Sequence, residues 1–177
     1  NLYAPDGGYL VDTVYFPNRA IEFLGASIGG TIFQARTVNT VVFQKVASAG
    51  VSDGSVIGNF SIKAHASGST TGAIKCTGFR NSIFDRIEGL SNGTAGFASL
   101  YDIAAHPYLC YSNTWSNATL NGQDGWTKVF NFNNNSQGAA YNCNVGLILT
   151  PWIVDNTADL TLAIDAVRSA KIQVLGG

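Results

Sequence analysis

The stretch Ser55–Leu90 constrains this chain more than any other. It holds two apolar, strand-like runs, Ile57 to Ala64 and Ser82 to Leu90, that begin 25 residues apart. Between them lie a loop of Ser, Thr and Gly and a short bridging run, Ala73-Ile74-Lys75-Cys76. A spacing of that order is about one coil of a parallel β-solenoid, in which each coil buries its apolar face only by stacking on the next.

The rest of the chain has the same texture. Short runs rich in Val, Ile, Phe and Tyr alternate with Gly, Asn and Ser: Tyr9 to Phe16, Ala20 to Leu24, Thr31 to Arg36, Thr40 to Val46, Phe97 to Ile103, Tyr108 to Ser112, Trp126 to Phe132, Tyr141 to Thr150 and Ala170 to Leu175. Pro17, lacking an N–H, closes the first run. The segment Thr157–Arg168 carries both helical and alternating spacing and is read as a strand through Leu160, Leu162 and Ile164. Ser112 to Asp124 is polar and reads as a long loop. Near-continuous apolar runs such as Val145 to Leu149 suit parallel strands covered on both faces. Asn-Gly hairpin signals are few, at Asn92-Gly93 and Asn121-Gly122. With coil starts at Ala20, Thr40, Ile57, Ser82, Tyr108, Lys128 and Asn144, the intervals run from 16 to 26 residues, an irregularity that solenoid loops absorb. The pattern predicts an all-β, right-handed parallel β-helix. It forms one domain over residues 1–177 or a segment of a longer one, with a change of character after about residue 125, where a β-sandwich is the alternative.

Charged residues are only 12% of the chain and the formal net charge is −1. Nothing here can build the basic face that nucleic-acid binding needs. No apolar run is long enough to span a bilayer as a helix. The N-terminal residues lack the pattern of a signal peptide and a Met, so a fragment or processed product is expected. Cys76, Cys110 and Cys143 fit neither zinc spacing nor a disulfide framework and read as small buried hydrophobes. No metal or cofactor is expected. Asp155, Asp159 and Asp165 form a loose acidic run without calcium-loop spacing.

Several segments resemble the pectate-lyase-like β-helix of bacteriophage tailspikes and appendage proteins. Thr13-Val14-Tyr15-Phe16-Pro17-Asn18 resembles the "V-(Y/F)-F-P-x-G" run that leads into that helix, with Asn18-Arg19 where glycine is usual. Ile21 to Gly25 and Gly30 to Phe33 resemble its first rungs. Gly58 to Ile62 and Asn81 to Ile87 resemble its "I-x-N-F-x-I" and "N-x-x-F-x-x-I" rungs. The resemblance covers about Tyr9 to Leu90 and rests on fold motifs. It implies a virion protein, extracellular, forming a homotrimer with other virion proteins as neighbours. Such a protein recognises a host surface polysaccharide, cleaves it, or serves as a structural stalk.

For cleavage, paired carboxylates are required. Asp85 and Glu88 are the local candidates, with Asp102 one run further on. For recognition, ring faces stack on sugar C–H faces, and Trp115, Trp126 and Tyr111 lie in or beside polar Asn-rich loops. Trp152 reads as core or interface. His65 and His106 have no nucleophile elbow to serve, and Gly25 to Gly30 lacks the Lys-Ser/Thr of a phosphate loop. Asp6, Asp53 and Asp124 precede glycines and read as turn residues.

Overall fold

The computed structural model describes residues 1–46, 51–103, 110, 112–122, 125–133, 144–149, 152–155, 162–167 and 170–176. Nineteen strands and no helix are found among them. The first coil is β1 (Leu2–Ala4), β2 (Gly7–Val11) and β3 (Val14–Phe16). The second is β4 (Glu22–Gly25), β5 (Thr31–Ala35) and β6 (Phe43–Lys45). Then come β7 (Ser52–Asp53), β8 (Val56–Lys63) and β9 (Ser69–Lys75), followed by β10 (Phe79–Arg80), β11 (Ile83–Leu90) and β12 (Phe97–Ile103). The last strands are β13 (Asn113–Ser116), β14 (Thr119–Gly122), β15 (Lys128–Asn133), β16 (Asn144–Leu149), β17 (Trp152–Asp155), β18 (Leu162–Val167) and β19 (Ala170–Leu175).

Every pairing between these strands is parallel and joins strands one coil apart, and β7 and β10 form a separate two-stranded sheet. The order β1-β4-β8-β11-β13-β16-β19 forms one limb of a large sheet, and β2-β5-β8-β11-β14-β17 forms the other. The long strands β8 and β11 run through both limbs. The order β3-β6-β9-β12-β15-β18 forms a second, six-stranded sheet, called sheet B below. The predicted β-helix is therefore present, and β15 to β19 continue its ladders. The β-sandwich alternative after residue 125 does not hold for the described strands, because their partners are the preceding coils.

Coils are longer than the sequence spacing suggested. Along the first limb Leu2 pairs with Phe23, Phe23 with Ile57, Ile57 with Phe84, Phe84 with Trp115, Trp115 with Ile148 and Ile148 with Val174. These steps run from 21 to 34 residues. The discrepancy has two causes: Thr40 and Lys128, taken as coil starts, lead into the sheet-B strands β6 and β15 within a coil, and Ser112–Asp124, read as a loop, contains β13 and β14. Asn113 is 1% exposed and continues a buried polar ladder at the coil corner. Ser55 Oγ accepts from Ile21 N–H, Ser82 Oγ from Ser55 N–H, and Asn113 Oδ1 from Ser82 N–H. A polar residue that satisfies backbone groups of the neighbouring coil belongs inside, whatever its hydropathy.

The core is built from columns of like side chains. Val14, Phe43, Ile74, Tyr101, Phe130 and Ile164 occupy one register column of sheet B. Tyr101 and Phe130 stack with centroids 5.2 Å apart, and Phe16 and Phe43 with centroids 5.4 Å apart. Stacked aromatic pairs of this kind add roughly 0.5–1.5 kcal/mol beyond the area they bury. Cys76 and Cys110 are buried, in line with their reading as small hydrophobes; Cys143 lies outside the described residues.

Where β8 and β11 turn from one limb to the other, the backbone passes through the left-handed region. Asn59 has φ +61°, Arg86 +50°, and Asn117, level with them in the next coil, +50°. Gly58 sits at this bend because a Cβ there would lie 1.8 Å from the carbonyl oxygen of Asp85. The coils approach too closely for any side chain.

Candidate functional site

The fold places the three candidate carboxylates on different surfaces. Asp85 stands on the first limb just before the bend, Glu88 on the second limb just after it, and Asp102 on sheet B. Asp85 is bound into the following coil: Ser116 Oγ donates at 2.6 Å and Asn117 Nδ2 at 2.8 Å to Oδ1. Arg86 Nε donates to Oδ2 at 3.0 Å. Burial pushes this carboxyl up, but the bonds from Ser116 and Asn117 and the adjacent guanidinium outweigh it and hold the group below the usual aspartate range. A carboxylate so satisfied is a poor proton donor near neutral pH.

Glu88 points the other way. It is 8% exposed and accepts at 2.6 Å from Ser61 Oγ of the preceding coil, which in turn accepts from Gly29 N–H at 2.8 Å. Asp85 and Glu88 thus direct their hydrogen bonds to opposite neighbours.

Asp102 has the most distinctive chemistry of the three. Burial raises its pKa against the opposing pull of Lys75, the Asn131 amide and Lys128. Asn131 Nδ2 donates to Asp102 Oδ1 at 3.1 Å.

The aromatic candidates move more than the carboxylates. Trp115 and Trp126 are each 2% exposed, so neither ring offers a face to a ligand. Trp115 stacks on Phe84 with centroids 6.0 Å apart and planes at 11°. Trp126 packs on Phe97 and lies over Gly89, where a Cβ would meet the indole at 2.9 Å. Alternation explains the correction: Asn113 and Trp115 share the inward side of β13, while Thr114 and Ser116 face out. Tyr111 and His106 lie outside the described residues, as does Asp159. His65 Nδ1 accepts from Ser67 N–H at 3.2 Å, a local turn contact. Asp155 and Asp165 fall on β17 and β18, in different sheets, and no cluster able to hold a metal occurs among the described residues.

The outer surface of sheet B carries a feature that sequence reading missed. Tyr15 pairs with Gln44, Gln44 with Lys75, Lys75 with Asp102 and Asp102 with Asn131, one residue per coil in a single column. Asp165 holds the next register position. Tyr15 is 55% exposed, and the next four side chains are half-buried. The signal was available in Val14-Tyr15-Phe16 and Tyr101-Asp102-Ile103, where one polar or amphipathic residue stands between two apolar ones. Without the coil register, nothing shows that these positions align. Such a row offers donors and acceptors about 4.8 Å apart along the axis, a spacing comparable with one sugar residue of an extended chain.

No protein-family model, curated protein or solved structure matches the chain. The class is therefore defined by its own coordinates: a parallel β-helix with a polar row along one sheet and buried aromatic columns within.

Proposed function

We propose that this chain recognises a cell-surface polysaccharide along the outer face of sheet B, as part of a tailspike-like or appendage protein of a virion. The row Tyr15–Gln44–Lys75–Asp102–Asn131 is the observation that carries the reading. An extended glycan lying along the axis would meet a new hydrogen-bonding side chain at every coil. The exposed phenol of Tyr15 would supply the ring face at one end. A low overall charge suits a ligand recognised through hydroxyls rather than through long-range attraction. A homotrimer is part of the same proposal, by the resemblance of Tyr9 to Leu90 to the tailspike β-helix.

A second reading, depolymerisation, has one observation in its favour. Asp102 has a raised carboxyl, the property required of a general acid. Asp165 stands two register positions along the same row. Incubating the protein with bacterial surface polysaccharides separates the readings. Binding without release of oligosaccharides supports recognition; release that is lost in Asp102→Asn supports hydrolysis. Neither binding nor release leaves only the structural stalk.

A further inference from the structure

At the bend between the two limbs, three successive coils present Asn59, Arg86 and Asn117 at the same level, all with positive φ. Asparagine suits this position for two reasons. It tolerates the left-handed region better than other side chains, and its amide can reach the neighbouring coil. Asn59 Nδ2 donates to the carbonyls of Gly25 and Ala26 at 2.9 and 2.8 Å, and Asn117 Nδ2 donates to Asp85 at 2.8 Å. Arg86 breaks the pattern. Among the described residues its side chain bonds only through Nε, to the carboxylate of its own neighbour Asp85, and it is 56% exposed. A long cation in this left-handed backbone region carries a backbone cost that asparagine avoids, set against its pairing with Asp85.

What Arg86 does gain is orientation. Asp85 is itself fixed by Ser116 and Asn117, so the Nε edge of the guanidinium is anchored to a rigid carboxylate. The two terminal nitrogens make no hydrogen bond among the described residues, and the side chain is largely exposed. The edge they form can grip carboxylate or phosphate oxygens in pairs. We propose that Arg86 is a binding residue for an anionic group, a carboxylate, sulfate or phosphate, with Asp85 as its positioning residue. The site lies at the bend of the large sheet, apart from the row on sheet B, and does not depend on the reading of that row.

The test is Arg86→Asn in the full chain, measured for both stability and binding. The probes are inorganic phosphate, inorganic sulfate, polygalacturonate and carboxyl-reduced polygalacturonate. The variant should still fold, because asparagine is the residue that the same level of the bend carries in the coils on either side. The proposal predicts that wild type binds at least one anionic probe and not the carboxyl-reduced polymer. That binding should weaken about tenfold or more in the variant, through loss of a paired charged contact. Phosphate or sulfate alone would mark a free-anion site; polygalacturonate alone would mark a sugar-borne carboxylate. Equal binding by both proteins, or no anionic probe bound by wild type, would overturn the proposal.

Discussion

Phe84 and Trp115 face each other in register across two adjacent coils, their rings stacked 6.0 Å apart at 11°. The contact places Trp115 in the column Phe23–Ile57–Phe84–Trp115–Ile148 that runs through the solenoid. Trp115→Ala should therefore cost about 3–5 kcal/mol, read as a lower denaturation midpoint in urea. Trp115→Phe, which keeps a ring on Phe84, should lose less than half as much. A variant that loses no stability would contradict the burial.

Tyr101 buries its hydroxyl in the same core, with no hydrogen-bond partner among the described residues, and burial pushes its pKa far up. Tyr101→Phe removes an unsatisfied polar atom and keeps the ring stacked on Phe130. The substitution should be neutral or stabilising by about 1 kcal/mol. A loss of more than that, in the same urea titration, would mean the hydroxyl has a partner worth keeping.

The tight bend at Gly58 should tolerate no side chain. Gly58→Ala sets a Cβ against the Asp85 carbonyl, so the coils must separate or β8 must shift. The expected cost is about 2–3 kcal/mol. Gly8→Ala on β2, where a Cβ meets nothing within 4 Å, is the control and should change stability by less than about 1 kcal/mol. Equal losses at the two positions would count against the coil stacking.

Asp85 and Asp102 should give opposite pH signatures. Asp85 is held low in the folded state, so its contribution is present above the ordinary aspartate value of about 4 and is lost as pH falls through the folded value. Asp85→Asn should cost about 1–3 kcal/mol at pH 7, with the gap closing in acid. Asp102 is raised, so the folded state keeps its proton to higher pH than the unfolded chain does. Its effect on stability becomes less favourable as pH climbs from about 4 to the raised folded value. Asp102→Asn should lose that decline and gain on wild type toward neutral pH. Unfolding midpoints across pH 3 to pH 8 give both signs.

The architecture was legible in the sequence because a solenoid repeats its chemistry. The apolar runs at Ile57 to Ala64 and Ser82 to Leu90 are β8 and β11, shifted by a residue or two. The coil length was not legible, because β13 buries Asn113 through hydrogen bonds to the preceding coil rather than through hydropathy, and because Thr40 to Val46 leads onto sheet B instead of opening a coil. Tyr9 to Phe16 also proved to be two strands, parted at Asp12-Thr13 where the coil turns onto sheet B. The site was the least legible part. Asp85, Glu88 and Asp102 were found as residues, yet which of them share a face depends on bends that no short motif marks. Trp115 and Trp126 looked exposed from their polar neighbours, whereas alternation within β13 turns the Trp115 ring inward and Trp126 packs on Phe97 and over Gly89. Tyr15, Gln44, Lys75, Asp102 and Asn131 span more than 100 residues of sequence, and only the register brings them into one row.

The most direct test of the central claim is calorimetric titration of the full chain with a panel of bacterial surface polysaccharides, repeated with a Tyr15→Ala, Gln44→Ala double variant. Both side chains lie on the outer face of sheet B, and neither belongs to the buried core, so the fold should survive the change. The account predicts saturable binding of at least one polysaccharide by wild type and about a tenfold or greater loss in the variant, the effect of removing one stacking ring and one hydrogen-bonding amide. Binding of equal strength in both proteins, or none by wild type across the panel, would contradict it.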